Sequence, residues 1–183
     1  KVYQRRSRVS YVTGPKVTVI TPAYNAEKLI GATIKSVIEQ SYEHWEMIIV
    51  DDCSTDNTRS VVQSWVEKDS RIKLRSLASN FGGPAGPRNE GVRLAQGEYV
   101  AFLDSDDIWH PRKLEIQVRL LEEESSSFVC SQMKDFTSEK QITHIDADVI
   151  HFEPVSFRQQ SLRARIPTSS VIVSKALISS YPF

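Results

Sequence analysis

Apolar positions along this chain alternate between strand-like and helical spacing. Lys16-Val17-Thr18-Val19-Ile20-Thr21 is β-branched through its centre and predicts a first strand. Pro22-Ala23-Tyr24-Asn25 breaks it. Asn25 then predicts an N-cap for a helix from Ala26 to about Gln40, with Ile30, Ile34, Val37 and Ile38 on one face. Glu46 to Asp51 predicts a second strand that ends in acid. Ser54-Thr55-Asp56-Asn57 supplies a cap, and Val61, Val62, Trp65 and Val66 mark a second helical face. Ile72-Lys73-Leu74-Arg75 predicts a short third strand near an edge, and Asn80 to Pro87 is a loop rich in breakers. Pro87 suits the first position of a helix that Arg88 and Asn89 open and that runs to about Ala95.

Tyr99-Val100-Ala101-Phe102-Leu103 is a continuous apolar run after Gly97, the pattern of a strand buried on both faces. Pro111 starts another helix, with Leu114, Val118 and Leu121 toward the core and Glu122–Glu124 as a solvated end. Beyond Ser125 the pattern loosens. Phe128-Val129-Cys130 predicts a strand, residues 134–153 read as polar loop, Phe157 to Leu162 as helix, and Thr168 to Val173 as a strand with small first residues. The order βαβαβ, loop, α, β, acidic turn, α predicts an α/β fold with a doubly wound, mostly parallel sheet over residues 16–124.

The chemistry sits where that buried strand ends. Asp104, Asp106 and Asp107 fall within four positions, and Asp51 and Asp52 end the second strand. In extended chain, residues two apart point the same way, so Asp104 and Asp106 can converge. Crowded carboxylates repel unless a cation lies between them, so Asp-Ser-Asp reads as a divalent-metal site serving an anionic ligand. A polar turn that caps the next helix is the plainer reading, but capping needs one Asp and this turn holds three. If the two acid-tipped strands are neighbours, the acids share the rim where open α/β sheets bind ligands.

Composition narrows the classes. Lys plus Arg and Asp plus Glu are equal at 23 each, which argues against a nucleic-acid partner. Residues 1–15 nevertheless carry Lys1, Arg5, Arg6 and Arg8 without an acid, a basic linker or arm that leaves peripheral membrane association open. Cys53 and Cys130 give no disulfide framework and suit a reducing, cytoplasmic setting. No apolar run reaches membrane-spanning length. The start without Met and the end at Tyr181-Pro182-Phe183 read as a piece of something longer.

Four motifs occur in order: Thr21-Pro22-Ala23-Tyr24-Asn25; Val50-Asp51-Asp52-Cys53-Ser54-Thr55-Asp56; Arg88-Asn89-Glu90-Gly91 with Gly97-Glu98-Tyr99; and Leu103-Asp104-Ser105-Asp106-Asp107. Together they resemble the GT-A glycosyltransferases of family 2 over about residues 16 to 120. The resemblance implies a sheet that binds a nucleotide-diphosphate sugar, UDP favoured, with Mn²⁺ or Mg²⁺ held at the Asp-x-Asp turn. By position it implies Pro22 and Tyr24 at the base, and Asp51 and Asp52 accepting from base or ribose. Asn80 and Gly83 would lie in the glycine-rich loop, with Arg88 and Asn89 at the nucleotide sugar and Asp104 and Ser105 at ribose or donor. Asp106 would be the main metal ligand, Asp104 and Asp107 its companions, although Asp107 equally suits a helix cap.

The expected reaction is sugar transfer to an acceptor hydroxyl with inversion, in polysaccharide or glycoconjugate synthesis, on the cytoplasmic side or at the inner face of a membrane. The acceptor would be a saccharide or glycoconjugate. Residues 125–183 would then begin an acceptor-side region, and the general base is expected beyond Phe183, because Asp146, Asp148 and Glu153 precede the last strand. A sugar-nucleotide-binding module without transfer is the alternative. A phospho-receiver, suggested by the acidic pair after Val50, fits the three-carboxylate turn badly.

Overall fold

A computed structural model describes residues 16–131, 133 and 166–183. The basic arm, the 134–153 loop, the Phe157–Leu162 helix, and Asp146, Asp148 and Glu153 all lie outside the described residues.

The described elements are β1 (Val17–Ala23), α1 (Ile30–Ile38), β2 (Trp45–Asp51), α2 (Thr58–Val66), β3 (Ile72–Ser76), α3 (Ala85–Leu94), β4 (Tyr99–Phe102), α4 (Lys113–Glu123) and β5 (Phe128–Cys130). A 3₁₀ turn at Thr168–Ser170, then β6 (Val171–Ser174) and α5 (Lys175–Ser180), complete them. The strands form one sheet in the order β3-β2-β1-β4-β6-β5. β3, β2, β1 and β4 run parallel, whereas β6 runs antiparallel to both β4 and β5. The mostly parallel α/β prediction therefore holds, with an antiparallel edge added.

β2 and β4 are not direct neighbours, because β1 lies between them with Ala23 opposite Asp51 and Ile20 opposite Phe102. The chain builds outward from β1 to β3 and then crosses to β4 on the other side. That reversal creates a crevice beside β1 at the carboxyl ends of the strands, the usual ligand position in such sheets.

β1, β2 and β4 are buried along their whole length, and where polar residues interrupt the apolar run they are paired, as Thr18 Oγ1 is in donating to Glu46 Oε1 (2.7 Å). One face packs Ile30, Ile34 and Val37 of α1, Val62 of α2, and Leu114, Val118 and Leu121 of α4 against Val17, Val19, Met47 and Ile49. The other packs Val92 of α3 against Ile20, Val100 and Phe102, joined by Val173. Gly91 makes that second contact possible, since a Cβ there would lie 2.4 Å from Ile20 Cγ2.

Several boundaries depart from the pattern. α1 starts at Ile30, not Ala26, because Asn25 adopts φ 50 and spends its Oδ1 on the Thr55 amide at 2.8 Å. α3 starts at Ala85 with Pro84 at the N-cap, so Pro87 lies inside its first turn. α4 begins at Lys113, two residues after Pro111. Thr168–Ser170 turn before the strand begins, and β6 starts only at Val171. None of the described helices is long and apolar enough to cross a membrane.

Candidate active site

The turn after β4 is closed by the Asp107 amide donating to the Asp104 carbonyl at 3.1 Å. Two parts of the fold hold it from opposite sides. From α1, the Thr33 hydroxyl donates to the Ser105 carbonyl (2.9 Å), and Ser36 Oγ accepts from the Trp109 amide (3.2 Å). From the 3₁₀ turn, Ser169 Oγ accepts from the Asp104 amide (2.9 Å), while Trp109 Nε1 donates to the Ser169 carbonyl (2.8 Å). Behind it, Gln117 Nε2 donates to the Ser170 carbonyl (2.9 Å) and Lys113 donates to Gln117 Oε1 (2.5 Å). Lys113 Nζ lies 4.1 Å from the Trp109 ring centroid, and burial pulls its pKa down to about 7.

Asp104 faces α3. Arg88 Nη2 donates to Asp104 Oδ1 at 2.6 Å, with the Arg88 side chain 9% exposed and that of Asp104 35%. Arg88 Nε is buried and has no hydrogen-bond partner among the described residues. A buried N–H left unpaired is costly, so this guanidinium has capacity for another acceptor. Asp106 is exposed at the tip of the turn. Among the described residues no group of three or more His, Cys, Asp or Glu is placed to hold a metal ion. Asp104, Asp106 and Asp107 therefore do not form such a group by themselves.

At the end of β2 the two acids are sealed in. Asp51 is fully buried, takes a 2.5 Å bond from Arg59 Nε, and accepts from the Ser54 amide (3.3 Å). Asp52, 4% exposed, accepts from the Phe81 amide at 2.9 and 3.1 Å. Hydrogen bonds within the chain engage both, and each carboxylate keeps further acceptor sites. Their work is to pin the loops: Asn80 Nδ2 donates to the Asp52 carbonyl (2.8 Å), and Asn80 Oδ1 accepts from the Gly82 amide (2.6 Å). Gly82, at φ +75, takes the left-handed conformation, while Gly83 has open space around it.

Tyr24, just past β1, is 52% exposed and therefore is not core packing. Pro22 is buried in β1, beyond the last residue paired with β4, where a missing N–H is tolerated. The Asn89 amide is engaged by the main chain of Phe183, donating to the carbonyl and accepting from the amide, both at 3.0 Å. The structure thus brings Tyr24, Arg88, Asp104, Ser105 and Asp106 to the open rim, while Asp51, Asp52, Asn80 and Asn89 each hold a partner within the chain. Sequence reasoning missed Thr33, Ser169, Gln117 and Phe183. Gln117 carried a usable signal, three residues after Leu114 on the core-facing side of its helix.

Proteins similar to this chain are named as glycosyltransferases. The chain is 53% identical over 114 residues to a Bacillus subtilis (strain 168) protein provisionally named teichuronic acid biosynthesis glycosyltransferase TuaG, covering 62% of this chain and 45% of that one. It is 34% identical over 168 residues to the Escherichia coli UDP-Glc:alpha-D-GlcNAc-diphosphoundecaprenol beta-1,3-glucosyltransferase WfgD, covering 91% and 63%. The crystal structure of S. aureus TarS 1–349 in complex with UDP superposes with a TM-score of 0.70 at 30% identity, over 90% of this chain and 48% of that one. The chain thus spans roughly half to two thirds of the length of these relatives. The profile described as Glycosyl transferase family 2 matches residues 18–181, most of the sequence, and with the GT-A-like sheet beneath it the chain belongs to that family.

Proposed function

We propose that this chain is the donor-binding part of a glycosyltransferase that moves a sugar from a nucleotide diphosphate, UDP favoured, to an acceptor hydroxyl on a saccharide or glycoconjugate, with inversion. The observation that carries the reading is the buried Arg88 guanidinium, paired to Asp104 through one nitrogen and unpaired at Nε, at the open rim of the sheet. A cation held there with spare donors suits an anionic, oxygen-rich ligand. UDP is favoured because related TarS structures hold UDP and UDP-GlcNAc.

Tyr24 offers its ring to the base. Arg88 binds and orients the charged part of the donor, and Asp104 accepts from its hydroxyls while keeping Arg88 in place. The loop pinned by Asp52 lets backbone come close to the ligand at Gly83. Mn²⁺ or Mg²⁺ fits the oxygen donors present. Such ions are commonly held by one or two carboxylates together with substrate phosphates. Asp106, and the Asp104 oxygen that Arg88 does not engage, would hold it. When bound, the ion neutralises charge on the departing diphosphate. A related mannosyltransferase, PcManGT from Pyrobaculum calidifontis, is known with GDP-Man and Mn²⁺ (TM-score 0.61, 31% identity). A lipid-linked acceptor such as that in the WfgD name suits work at the cytoplasmic face of a membrane.

Calorimetric titration of UDP and GDP, with and without Mn²⁺, tests this. UDP is expected to bind with Mn²⁺, and Asp106→Asn to weaken that binding without lowering the apo melting temperature. Identical titrations for parent and Asp106→Asn would remove Asp106 from the ion, and no UDP binding by the parent would overturn the donor reading.

A further inference from the structure

Arg88 and Asn89 are consecutive on α3, so their side chains leave the helix about 100° apart. Arg88 reaches the acidic turn and Asn89 reaches Phe183, 94 residues away in sequence. The Asn89 amide forms a closed pair of hydrogen bonds with both main-chain groups of Phe183. Such a pair sets the position and the direction of that residue together. The Phe183 ring then meets Phe102, the last residue of β4, edge to face at 5.1 Å and 89°. Its other neighbour is the Arg88 guanidinium, whose Cζ lies 5.3 Å from the ring centroid, within cation–π range.

Arg88 needs such a neighbour. A bidentate guanidinium–carboxylate pair fixes its own plane, but Arg88 reaches Asp104 through Nη2 alone and Nε has no partner. A single bond does not by itself fix the plane of the guanidinium, and an aromatic ring beside the cation adds a second constraint on that plane.

Building on the donor-site reading above, we infer that Phe183, tied to α3 by Asn89, is a positioning residue that fixes the Arg88 guanidinium against Asp104. It thereby decides which Asp104 oxygen is left for the donor. Asn89 acts through Phe183 and does not touch the donor.

The test separates this from the donor reading. Phe183→Leu keeps an apolar side chain and loses the ring; Phe183→Tyr restores the ring. In nitrogen-detected NMR, the parent should show separate Arg88 Nη resonances, Phe183→Leu should merge them, and Phe183→Tyr should separate them again. Titration of UDP with Mn²⁺ should show about three- to tenfold weaker binding for Phe183→Leu, the range expected for an exposed to partly desolvated cation–π contact. Phe183→Tyr should recover it, with melting temperatures unchanged. Asn89→Ala should reproduce the Phe183→Leu spectrum. Arg88 resonances that do not change in Phe183→Leu overturn the inference, whatever UDP does. Loss of affinity that Phe183→Tyr fails to restore also overturns it. If the parent binds no UDP, the donor reading fails while the Arg88 spectra still decide the positioning role.

Discussion

Removing either member of the Arg88–Asp104 pair abolishes the same bond, yet the two deletions should cost different amounts. The Arg88 side chain is 9% exposed and that of Asp104 is 35% exposed. Asp104→Ala leaves a buried guanidinium with no hydrogen-bond partner among the described residues. Breaking a buried pair in this way costs about 3–5 kcal/mol, and Asp104's contact with water reduces the expectation to about 2 kcal/mol. Arg88→Met leaves a carboxylate that water can reach. It also removes the unpaired Nε–H, whose burial costs about 1–3 kcal/mol. Those effects nearly cancel, so a change under about 1 kcal/mol is expected. For a chain of this size about 2–4 °C of melting temperature accompanies each kcal/mol. Asp104→Ala should therefore melt about 4–8 °C below the parent and Arg88→Met within about 4 °C of it, while both lose UDP affinity. Thermal melts and urea titrations of the two variants and the double variant decide the matter. Equal destabilisation, or Arg88→Met as the worse variant, would refute the burial argument.

Tyr24→Ala should weaken UDP binding by about 1–3 kcal/mol, as for loss of a base-stacking ring. The half-exposed ring should leave the melting temperature unchanged; a melt several degrees lower with normal binding would count against the role. Gly91→Ala gains about 1 kcal/mol of helix propensity but drives a methyl to 2.4 Å from Ile20 Cγ2, and overpacking of that kind costs about 1–3 kcal/mol. A net loss of stability is expected, with weaker UDP binding because α3 carries Arg88, and a stabilised variant would contradict it. Lys113 is held by burial at a pKa of about 7 against its ordinary 10.5, so its folded form resists the charge. That penalty is complete below about pH 7 and fades as pH rises toward 10.5, so stability should increase over that window. Lys113→Met should gain most over the parent at pH 6 and least at pH 10 in urea midpoints; a constant difference would count against the burial account.

The parallel sheet was legible because buried strands write continuous apolar runs, and Tyr99 to Leu103 is the clearest of them. The acid-bearing rim was legible for the same reason, since carboxylates after such a run have nowhere else to lie. Strand order was not. Spacing along the chain does not show that β1 inserts between β2 and β4. The partners that Asp51, Asp52 and Asn89 find within the chain were not legible, because a side chain's partner across the fold leaves no mark in local sequence. The structure supplies them: Arg59 for Asp51, Phe81 for Asp52, Phe183 for Asn89. Asn25 misled because good capping residues also favour left-handed backbone, and here the φ of 50 was the use made of it.

The bond from the Asp104 amide to Ser169 Oγ spans 65 residues, and Trp109 and Gln117 reach the same segment across 60 and 53. On a ribosome this imposes an order of events. β1 to β4 can emerge and pair while the acidic turn still lacks the hydroxyl and carbonyls that fix it. Local contacts close early and distant ones late. The sheet should therefore be present before the chemistry, and protease protection of the turn in stalled nascent chains should appear only once Ser169 and Ser170 have left the exit tunnel.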